Sequence, residues 1–203
     1  MAARSRKPAE RGGRRSSRGL VSPGVKSDVR RRSARIRVVL MDVDGVMTDG
    51  RVCLQSLPDG TAEEMKVFHA HDGAGIKLAG LMGLRMGLIT GRNCAATSRR
   101  AREASMEFVF QGRSKKLAAY EEILRTANVA DEEVAYIGDD LPDLPLLRRA
   151  GLAVAVANAV PEVKQASHYV TARSGGQGAV REVIELILKA QGRWHEAIPR
   201  AIA

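Results

Sequence analysis

Residues 36–50 read Ile-Arg-Val-Val-Leu-Met-Asp-Val-Asp-Gly-Val-Met-Thr-Asp-Gly. The part from Val38 to Val43 is a short, nearly continuous apolar run rich in β-branched residues, which predicts a strand buried on both faces of a parallel sheet. Asp42 and Asp44 stand two positions apart at the end of this strand, so their side chains leave it on the same side, and Gly45 allows a tight turn beside them. Two such carboxylates repel each other unless a cation lies between them, and Mg2+ is the natural candidate.

Two other interpretations of this stretch can be weighed from the residues alone. A calcium loop of the EF-hand type is excluded, because Val46, Met47 and Cys53 stand where that loop needs an oxygen ligand, a glycine and a glutamate. An aspartate-rich turn that follows a strand and has no function stays open on this stretch alone.

The charge of the chain is concentrated at its N-terminus. The sequence of 203 residues has a net charge of +10, and residues 1–35 alone hold 12 lysines and arginines against Glu10 and Asp28, so the remainder is neutral overall. We expect residues 1–35 to be a disordered basic extension, 36–192 to form one domain, and 193–203 to be a C-terminal tail. For the extension, an organelle transit peptide and a nonspecific nucleic-acid arm remain alternatives to a solvated segment without a partner.

Export and membrane insertion are not indicated by this sequence. The chain has no apolar segment of the length that a secretory signal or a membrane span needs. Its two cysteines, Cys53 and Cys94, have no metal-ligand spacing, which is typical of reduced thiols and predicts a cytoplasmic location.

Strand-like and helix-like segments alternate along the chain, which predicts an α/β fold with a doubly wound parallel sheet. A hairpin with the turn Pro58-Asp59-Gly60 is expected as an insertion after the first strand. The later strands are expected at 84–89, 108–110, 134–137, 153–156 and 169–170, and the helices at 72–82, 94–104, 114–127, near 163 and at 178–190. Ligands of such a sheet bind at the carboxyl ends of its strands, where the main polar clusters of this sequence stand.

The first cluster can carry the chemistry of phosphoryl transfer. An ionised Asp42 is placed to attack phosphorus and form an aspartyl phosphate. Asp44 can protonate the leaving alkoxide of the substrate and then take a proton from the hydrolytic water.

The later clusters can bind the phosphate and the metal ion. Thr90 and the amide of Gly91 can hold phosphate oxygens, and Lys116 adds a positive charge at the start of a helix, where backbone amides also favour anions. Asp139 would complete the metal site. Taken singly, each of these residues is also compatible with an ordinary turn or a solvated side chain, so the prediction depends on their order along the chain.

That order resembles the haloacid dehalogenase superfamily from residue 36 to about residue 192. Within the superfamily, five segments are similar to the family of 3-deoxy-D-manno-octulosonate 8-phosphate phosphatases: Asp-Val-Asp-Gly-Val-Met-Thr-Asp-Gly at 42–50, His-Asp-Gly-Ala-Gly-Ile-Lys at 71–77, Gln-Gly-Arg-Ser-Lys-Lys-Leu at 111–117, Gly-Asp-Asp-Leu-Pro-Asp at 138–143 and Gly-Gly-Gln-Gly-Ala-Val-Arg-Glu at 175–182. The resemblance implies a Mg2+-dependent phosphatase that acts in lipopolysaccharide precursor synthesis and assembles as a homotetramer around its hairpins.

The same resemblance implies the ligands of both the metal ion and the substrate. Mg2+ would be bound by Asp42, Asp44 and Asp139. The positions that match the family's substrate-binding residues, and that suit a sugar-acid phosphate, are His69, Ala70, His71, Asp72, Gly73, Lys77, Arg92, Arg100 and Lys116. The family usually has arginine where this chain has His71, and often where it has Gln177, so a nine-carbon keto-deoxy sugar-acid 9-phosphate remains an alternative substrate.

The spacing of the motifs predicts a domain without a cap, the inserted segment that encloses the substrate in other members of the superfamily. Only 45 residues separate Asp44 from Thr90, and only 22 separate Lys116 from Asp139, and the core elements and the hairpin use up these gaps. The site would therefore be open to water unless a second subunit covers it. A non-catalytic assembly or nucleic-acid-binding protein acting through the basic extension is the rival class. An aromatic content of 3% and a neutral folded part argue against that rival.

Overall fold

The structure, a computed structural model, describes residues 25–202. The strands of this part are β1 (Val38–Met41), β2 (Cys53–Ser56), β3 (Ala62–Met65), β4 (Arg85–Ile89), β5 (Phe108–Phe110), β6 (Val134–Gly138), β7 (Leu152–Ala155) and β8 (Tyr169–Val170). Six of them form one parallel sheet in the order β5-β4-β1-β6-β7-β8, while β2 and β3 pair with each other in antiparallel orientation. The predicted sheet and hairpin are confirmed.

Strand β1 lies at the centre of the sheet, and all four of its residues are buried. Its last residue, Met41, is in register with Leu88 of β4 and with Ile137 of β6. Because parallel strands end at the same edge, the residues that follow these three strands are brought together at one place.

Helices cover both faces of the sheet. They are α1 (Ser27–Ser33), α2 (Ala70–Leu81), α3 (Ala95–Glu103), α4 (Lys116–Ala127), α5 (Leu144–Leu147), α6 (Pro161–Ala166), α7 (Ala179–Ala190) and α8 (Trp194–Ile202). Helix α7 contacts α1, α2 and α8, whereas α5 contacts α4 and α6. Helix α7 packs on the core because Val180, Val183, Ile184 and Ile187 recur at helical spacing along one of its faces, and all four are fully buried.

The hairpin stands away from the core. Its turn is closed by Asp59, whose Oδ1 accepts a hydrogen bond from the Thr61 amide at 3.0 Å, and nearly all residues of β2 and β3 are exposed. Between β1 and β4 the chain forms only this hairpin and α2, and between α4 and β6 it forms one short 3₁₀ turn (Asp131–Glu133). The prediction of a domain without a cap is thus confirmed.

Helices that pack on the domain lie beyond the predicted boundaries at both ends. Residues 27–33 of the expected disordered extension form α1, in which Val29 is buried and Arg32 Nη1 donates to the Gly151 carbonyl at 2.8 Å. Residues 1–24 of that extension lie outside the described residues. Most of the expected C-terminal tail forms α8, where Ala197 is buried and the ring of Trp194 lies beneath the cationic group of Arg181. Packing against α7 makes both segments part of the domain.

In residues 25–202, every helix is too short or too polar to cross a lipid bilayer.

Candidate active site

A cleft of about 410 Å³ opens at the carboxyl edge of the sheet, beside the ends of β1, β4 and β6. Seven residues that the sequence singled out line it: Asp42, Asp44, Thr90, Gly91, Arg92, Lys116 and Asp139. Gly50, Ser114, Asp140, Pro142 and Asp143 complete the lining. The predicted convergence of motifs that lie far apart in sequence is therefore present in the structure.

Lys116 lies at the base of the cleft between two carboxylates. Its Nζ is 2.9 Å from Asp42 Oδ1 and 2.7 Å from Asp143 Oδ1, and only 5% of its side chain is exposed. Burial alone would lower the pKa of Lys116, but the two neighbouring carboxylates outweigh burial and raise it. The lysine therefore holds a fixed positive charge next to Asp42.

Asp143 is a residue of the site that the sequence reasoning missed. Its Oδ1 accepts hydrogen bonds from Lys116 Nζ and from the Tyr136 hydroxyl, both at 2.7 Å, and its Oδ2 accepts one from the Asp139 amide at 3.0 Å. The side chain is almost fully buried. Since both oxygens of Asp143 are occupied by donors, this residue positions Lys116 and the start of the Asp139 loop.

Three carboxylates are close enough to hold one metal ion. Asp42, Asp139 and Asp143 can each offer an oxygen atom, and these atoms lie within 4.8 Å of one another. Asp139 Oδ1 is buried and accepts no hydrogen bond from residues 25–202. Gly45 has φ 84°, and a Cβ there would lie 2.0 Å from Asp139 Oδ2, so only glycine fits beside this carboxylate.

The electrostatics of these carboxylates fit a cation. Burial, opposed by the charge of Lys116, raises the pKa of Asp42 to about 6. Burial and repulsion from Asp42 and Asp143 raise the pKa of Asp139 to about 7. Both shifts show that negative charge is costly here, and a divalent cation would relieve this cost. The residues present therefore fit a hard metal ion such as Mg2+, with Asp42 and with Asp139, whose Oδ1 accepts no hydrogen bond from residues 25–202, as the carboxylates that would hold it.

The Asp44 carboxylate lies apart from these three, and the role of Asp44 as a metal ligand stays a prediction. Its Oδ1 accepts a hydrogen bond from Lys66 Nζ, and it lies outside the group of three carboxylates. Lys66 also donates to Glu64 Oε1 at 2.7 Å, and Arg92 lies 3.8 Å from Asp44 and 3.6 Å from Glu64. The hairpin thus contacts Asp44 of its own chain through Lys66, which Glu64 holds in turn, and the sequence reasoning assigned neither Lys66 nor Glu64 to the site.

The loop after β4 forms another wall of the cleft. Thr90 is buried, and its Oγ1 accepts a hydrogen bond from the Arg92 amide at 3.2 Å. Gly91 is exposed, and a Cβ at this position would meet no atom within 4 Å, so its backbone stands open to the cleft. Both residues are located where an anion in the cleft could reach them.

The remaining predicted substrate residues, His69–Gly73, Lys77 and Arg100, do not line this cleft. Lys77 is an exposed residue of α2, and His71 lines a separate cleft of about 460 Å³ along α7. Arg100 packs against its own chain, where Nη2 donates to the His69 carbonyl at 3.3 Å and the guanidinium lies over the Phe68 ring.

Asp72 has a structural role that the sequence did not reveal. The helix was expected to begin at residue 72, but α2 begins at Ala70 and its N-cap is His69. Asp72 is buried and instead accepts hydrogen bonds from the backbone amides of Gly178 and Arg181, at 3.2 and 2.8 Å. These amides are at the start of α7, so the carboxylate caps that helix from outside. Burial raises the pKa of Asp72.

The fold and the cleft define a hydrolase class, and a family model supports it. The model described as haloacid dehalogenase-like hydrolase matches residues 88–184. The 3-deoxy-D-manno-octulosonate 8-phosphate phosphatase of Yersinia pestis is 44% identical over 83% of this chain and 88% of its own length. The enzyme of the same name from Escherichia coli strain K12 is 40% identical over 88% of this chain and 93% of its own.

Solved structures agree with this assignment. The 3-deoxy-D-manno-octulosonate 8-phosphate phosphatase of Moraxella catarrhalis, in complex with a magnesium ion, a phosphate ion and a KDO molecule, superposes with a TM-score of 0.80 at 38% identity, covering 85% of this chain and 97% of that one. The chain therefore belongs to the haloacid dehalogenase-like hydrolases, and among them to the family of 3-deoxy-D-manno-octulosonate 8-phosphate phosphatases.

Proposed function

We propose that this protein is a Mg2+-dependent phosphatase that hydrolyses 3-deoxy-D-manno-octulosonate 8-phosphate to the free sugar acid and phosphate. The observation that carries the proposal is the group of Asp42, Asp139 and Asp143, two of which pair with the ammonium of Lys116, at the open edge of the sheet. This arrangement offers a nucleophile, a cation and a metal site within one cleft, which phosphoryl transfer requires. The relatives that cover most of the chain carry the substrate's name.

Asp42 and Asp139 would hold the magnesium ion, since both have raised pKa values and Asp139 Oδ1 accepts no hydrogen bond from residues 25–202. Bound Mg2+ would neutralise the charge of the phosphate and of these carboxylates. Lys116 supplies a second positive charge, and Thr90 with the Gly91 amide offers hydrogen bonds to phosphate oxygens.

The chemistry then needs two aspartates with different environments. An oxygen of Asp42 attacks phosphorus, and the bond between phosphorus and the sugar oxygen breaks while Asp44 gives that oxygen a proton. Water next attacks the aspartyl phosphate, Asp44 takes a proton from this water, and phosphate leaves with Asp42 restored. Asp44 suits the exchange of protons because its Oδ2 accepts no hydrogen bond from any residue in 25–202.

We further propose that the sugar acid is enclosed by a homotetramer assembled around the hairpins. The hairpin exposes Leu54, Met65 and Val67 at 66%, 54% and 74%, an apolar surface that a neighbouring subunit could bury. The predicted substrate residues outside the cleft, among them Lys77, would then act on the site of the neighbouring subunit. The cellular setting that we propose is lipopolysaccharide precursor synthesis in the cytoplasm.

A phosphate-release assay on a panel of sugar phosphates tests the proposed reaction. We expect the highest kcat/KM for 3-deoxy-D-manno-octulosonate 8-phosphate, and loss of activity on removal of divalent cations. Higher kcat/KM for a nine-carbon sugar-acid 9-phosphate would assign the enzyme to that substrate instead. Absence of phosphate release from every compound with Mg2+ present would refute the proposal.

Mixing two inactive variants tests the shared site. Oligomers that combine Asp42→Asn with Lys77→Ala subunits should contain some sites with an intact Asp42 from one chain and an intact Lys77 from the next, so activity should return. Subunit exchange that is confirmed by native mass spectrometry without any return of activity would contradict the shared site, as would an active monomer.

A further inference from the structure

A buried lysine of the hairpin contacts the residue that we propose as the proton donor. Lys66 follows β3, and its side chain is only 2% exposed although its neighbours in the hairpin are largely in solvent. Its ammonium group has two partners within residues 25–202, Asp44 and Glu64. A buried ammonium is costly unless it is paired, so the hairpin would not bury this lysine without these carboxylates.

The two oxygen atoms of the Asp44 carboxylate have different partners. Oδ1 accepts the hydrogen bond from Lys66, whereas Oδ2 accepts none from the described residues and has the Arg92 guanidinium 3.8 Å away. A carboxylate that is held through one oxygen atom keeps a single orientation, and the other oxygen remains available for the substrate.

Glu64 completes the arrangement from the same face of β3. One of its oxygens accepts from Lys66 at 2.7 Å, and the other lies 3.6 Å from Arg92 Nη1. Glu64 therefore holds both cations that approach Asp44. The carbonyl of Glu64 also accepts a hydrogen bond from the Cys94 thiol at 3.7 Å, which connects the strand to the start of α3.

From this geometry we infer that Lys66 is a positioning residue, which fixes the orientation of the Asp44 carboxylate for transfer of a proton to the leaving oxygen. Lys66 acts through Asp44 and not on the substrate, because its side chain is enclosed and does not line the catalytic cleft. The hairpin accordingly contributes to the reaction of its own subunit. This inference rests on the proposed function of Asp44 as the proton donor.

The test is a double-mutant cycle between Lys66→Met and Asp44→Asn. With wild-type Asp44, Lys66→Met should lower kcat on the sugar-acid phosphate roughly 10-fold or more and change KM about 2-fold or less, since only the transition state needs the proton. The loss should be smaller with 4-nitrophenyl phosphate, whose leaving group needs no proton. In the Asp44→Asn background, the same change should lower kcat less than about 2-fold, because the contact is already lost.

The control is Glu63→Gln, an exposed hairpin residue that points to the opposite face of β3 and should leave kcat unchanged. Equal losses from Lys66→Met in both backgrounds, or no loss in the wild-type background, would overturn the inference. If the wild type releases phosphate from no substrate, the proposed function fails. Thermal unfolding of the wild type, the Lys66→Met and Asp44→Asn variants and the double variant then tests the contact between Lys66 and Asp44 alone. The sum of the Tm losses of the two single variants should then exceed the Tm loss of the double variant. A double-variant loss equal to that sum would overturn the assigned contact.

Discussion

Replacing Asp143 with asparagine removes a charge that four donors share. The carboxylate accepts hydrogen bonds from Lys116, from the Tyr136 hydroxyl and from the amides of Asp139 and Asp140, at 2.7, 2.7, 3.0 and 3.4 Å. An asparagine at this position has one oxygen atom, and its amide group would face donors on the other side. At least one of the four donors is then left buried without an acceptor, and Lys116 loses one of its two carboxylate partners.

The size of the effect follows from the burial of this network. Breaking a buried ion pair by removing one partner costs about 3–5 kcal/mol of unfolding free energy. Part of this loss is offset at high pH, where removal of Asp143 also relieves repulsion with Asp42 and Asp139. The offset is small at pH 5, since the pKa values of Asp42 and Asp139 are about 6 and about 7 and both groups are then largely protonated.

Thermal unfolding at pH 5 in metal-free buffer measures this loss. For a domain of this size 1 kcal/mol corresponds to about 2–4 °C, so Asp143→Asn should lower Tm by roughly 6–20 °C. Asp140→Asn is the matched control: Asp140 is exposed and caps the 3₁₀ turn Leu141–Asp143 through the Leu141 amide, a task that asparagine performs equally well. A Tm of Asp143→Asn within about 2 °C of the wild type, less than the shift from 1 kcal/mol, would refute the reasoning.

Three further predictions concern stability. The pKa values of Asp42 and Asp139 are raised in the folded state, so protonation of these two groups stabilises the fold. This contribution to the free energy of unfolding is complete below about pH 4 and is lost as pH rises through about 6 and about 7. The Tm of the metal-free protein should therefore fall between pH 5 and 8, and Mg2+ should raise Tm more at pH 8 than at pH 5; an equal effect of Mg2+ at both values would contradict this. Asp72→Ala should cost about 1–3 kcal/mol in urea unfolding, because the buried Gly178 amide and the partly buried Arg181 amide at the start of α7 lose their acceptor; an unchanged midpoint would exclude the cap. Deletion of residues 1–24 should leave Tm and kcat/KM unchanged. Deletion of residues 1–34 should lower Tm, because it removes α1 from the core. If the two deletion variants have the same Tm, α1 is not part of the cooperative folding unit.

The sequence predicted most of the sheet and the cleft because their signals are local. A buried apolar run such as 84–89 indicates a strand by itself, and strands in a parallel sheet must end at one edge, which collects Asp42, Thr90 and Asp139. Helix α1 was missed because its composition is that of a disordered basic segment, whereas its contacts with α7, β7 and the Gly151 carbonyl are formed only in the fold.

The roles of individual polar residues were harder to predict than the elements that carry them. Lys66 and Asp44 are 22 positions apart, and Asp72 caps a helix more than 100 positions away. No local pattern specifies such partners, because they depend on how the hairpin and the helices pack. Asp143 was part of a quoted motif, but its burial and its four donors could be known only from the fold.

The central claim is that Asp42 carries the phosphoryl group, and acid quenching during turnover tests it most directly. With Mg2+ and 3-deoxy-D-manno-octulosonate 8-phosphate, mass spectrometry should find the mass of one phosphoryl group on the peptide that contains Asp42. The Asp42→Asn protein should show no such adduct, should retain less than about 1% of the wild-type rate, and should keep its fold by circular dichroism. A phosphoryl group on a different residue, or an Asp42→Asn protein that keeps a substantial part of the wild-type rate, would contradict the account.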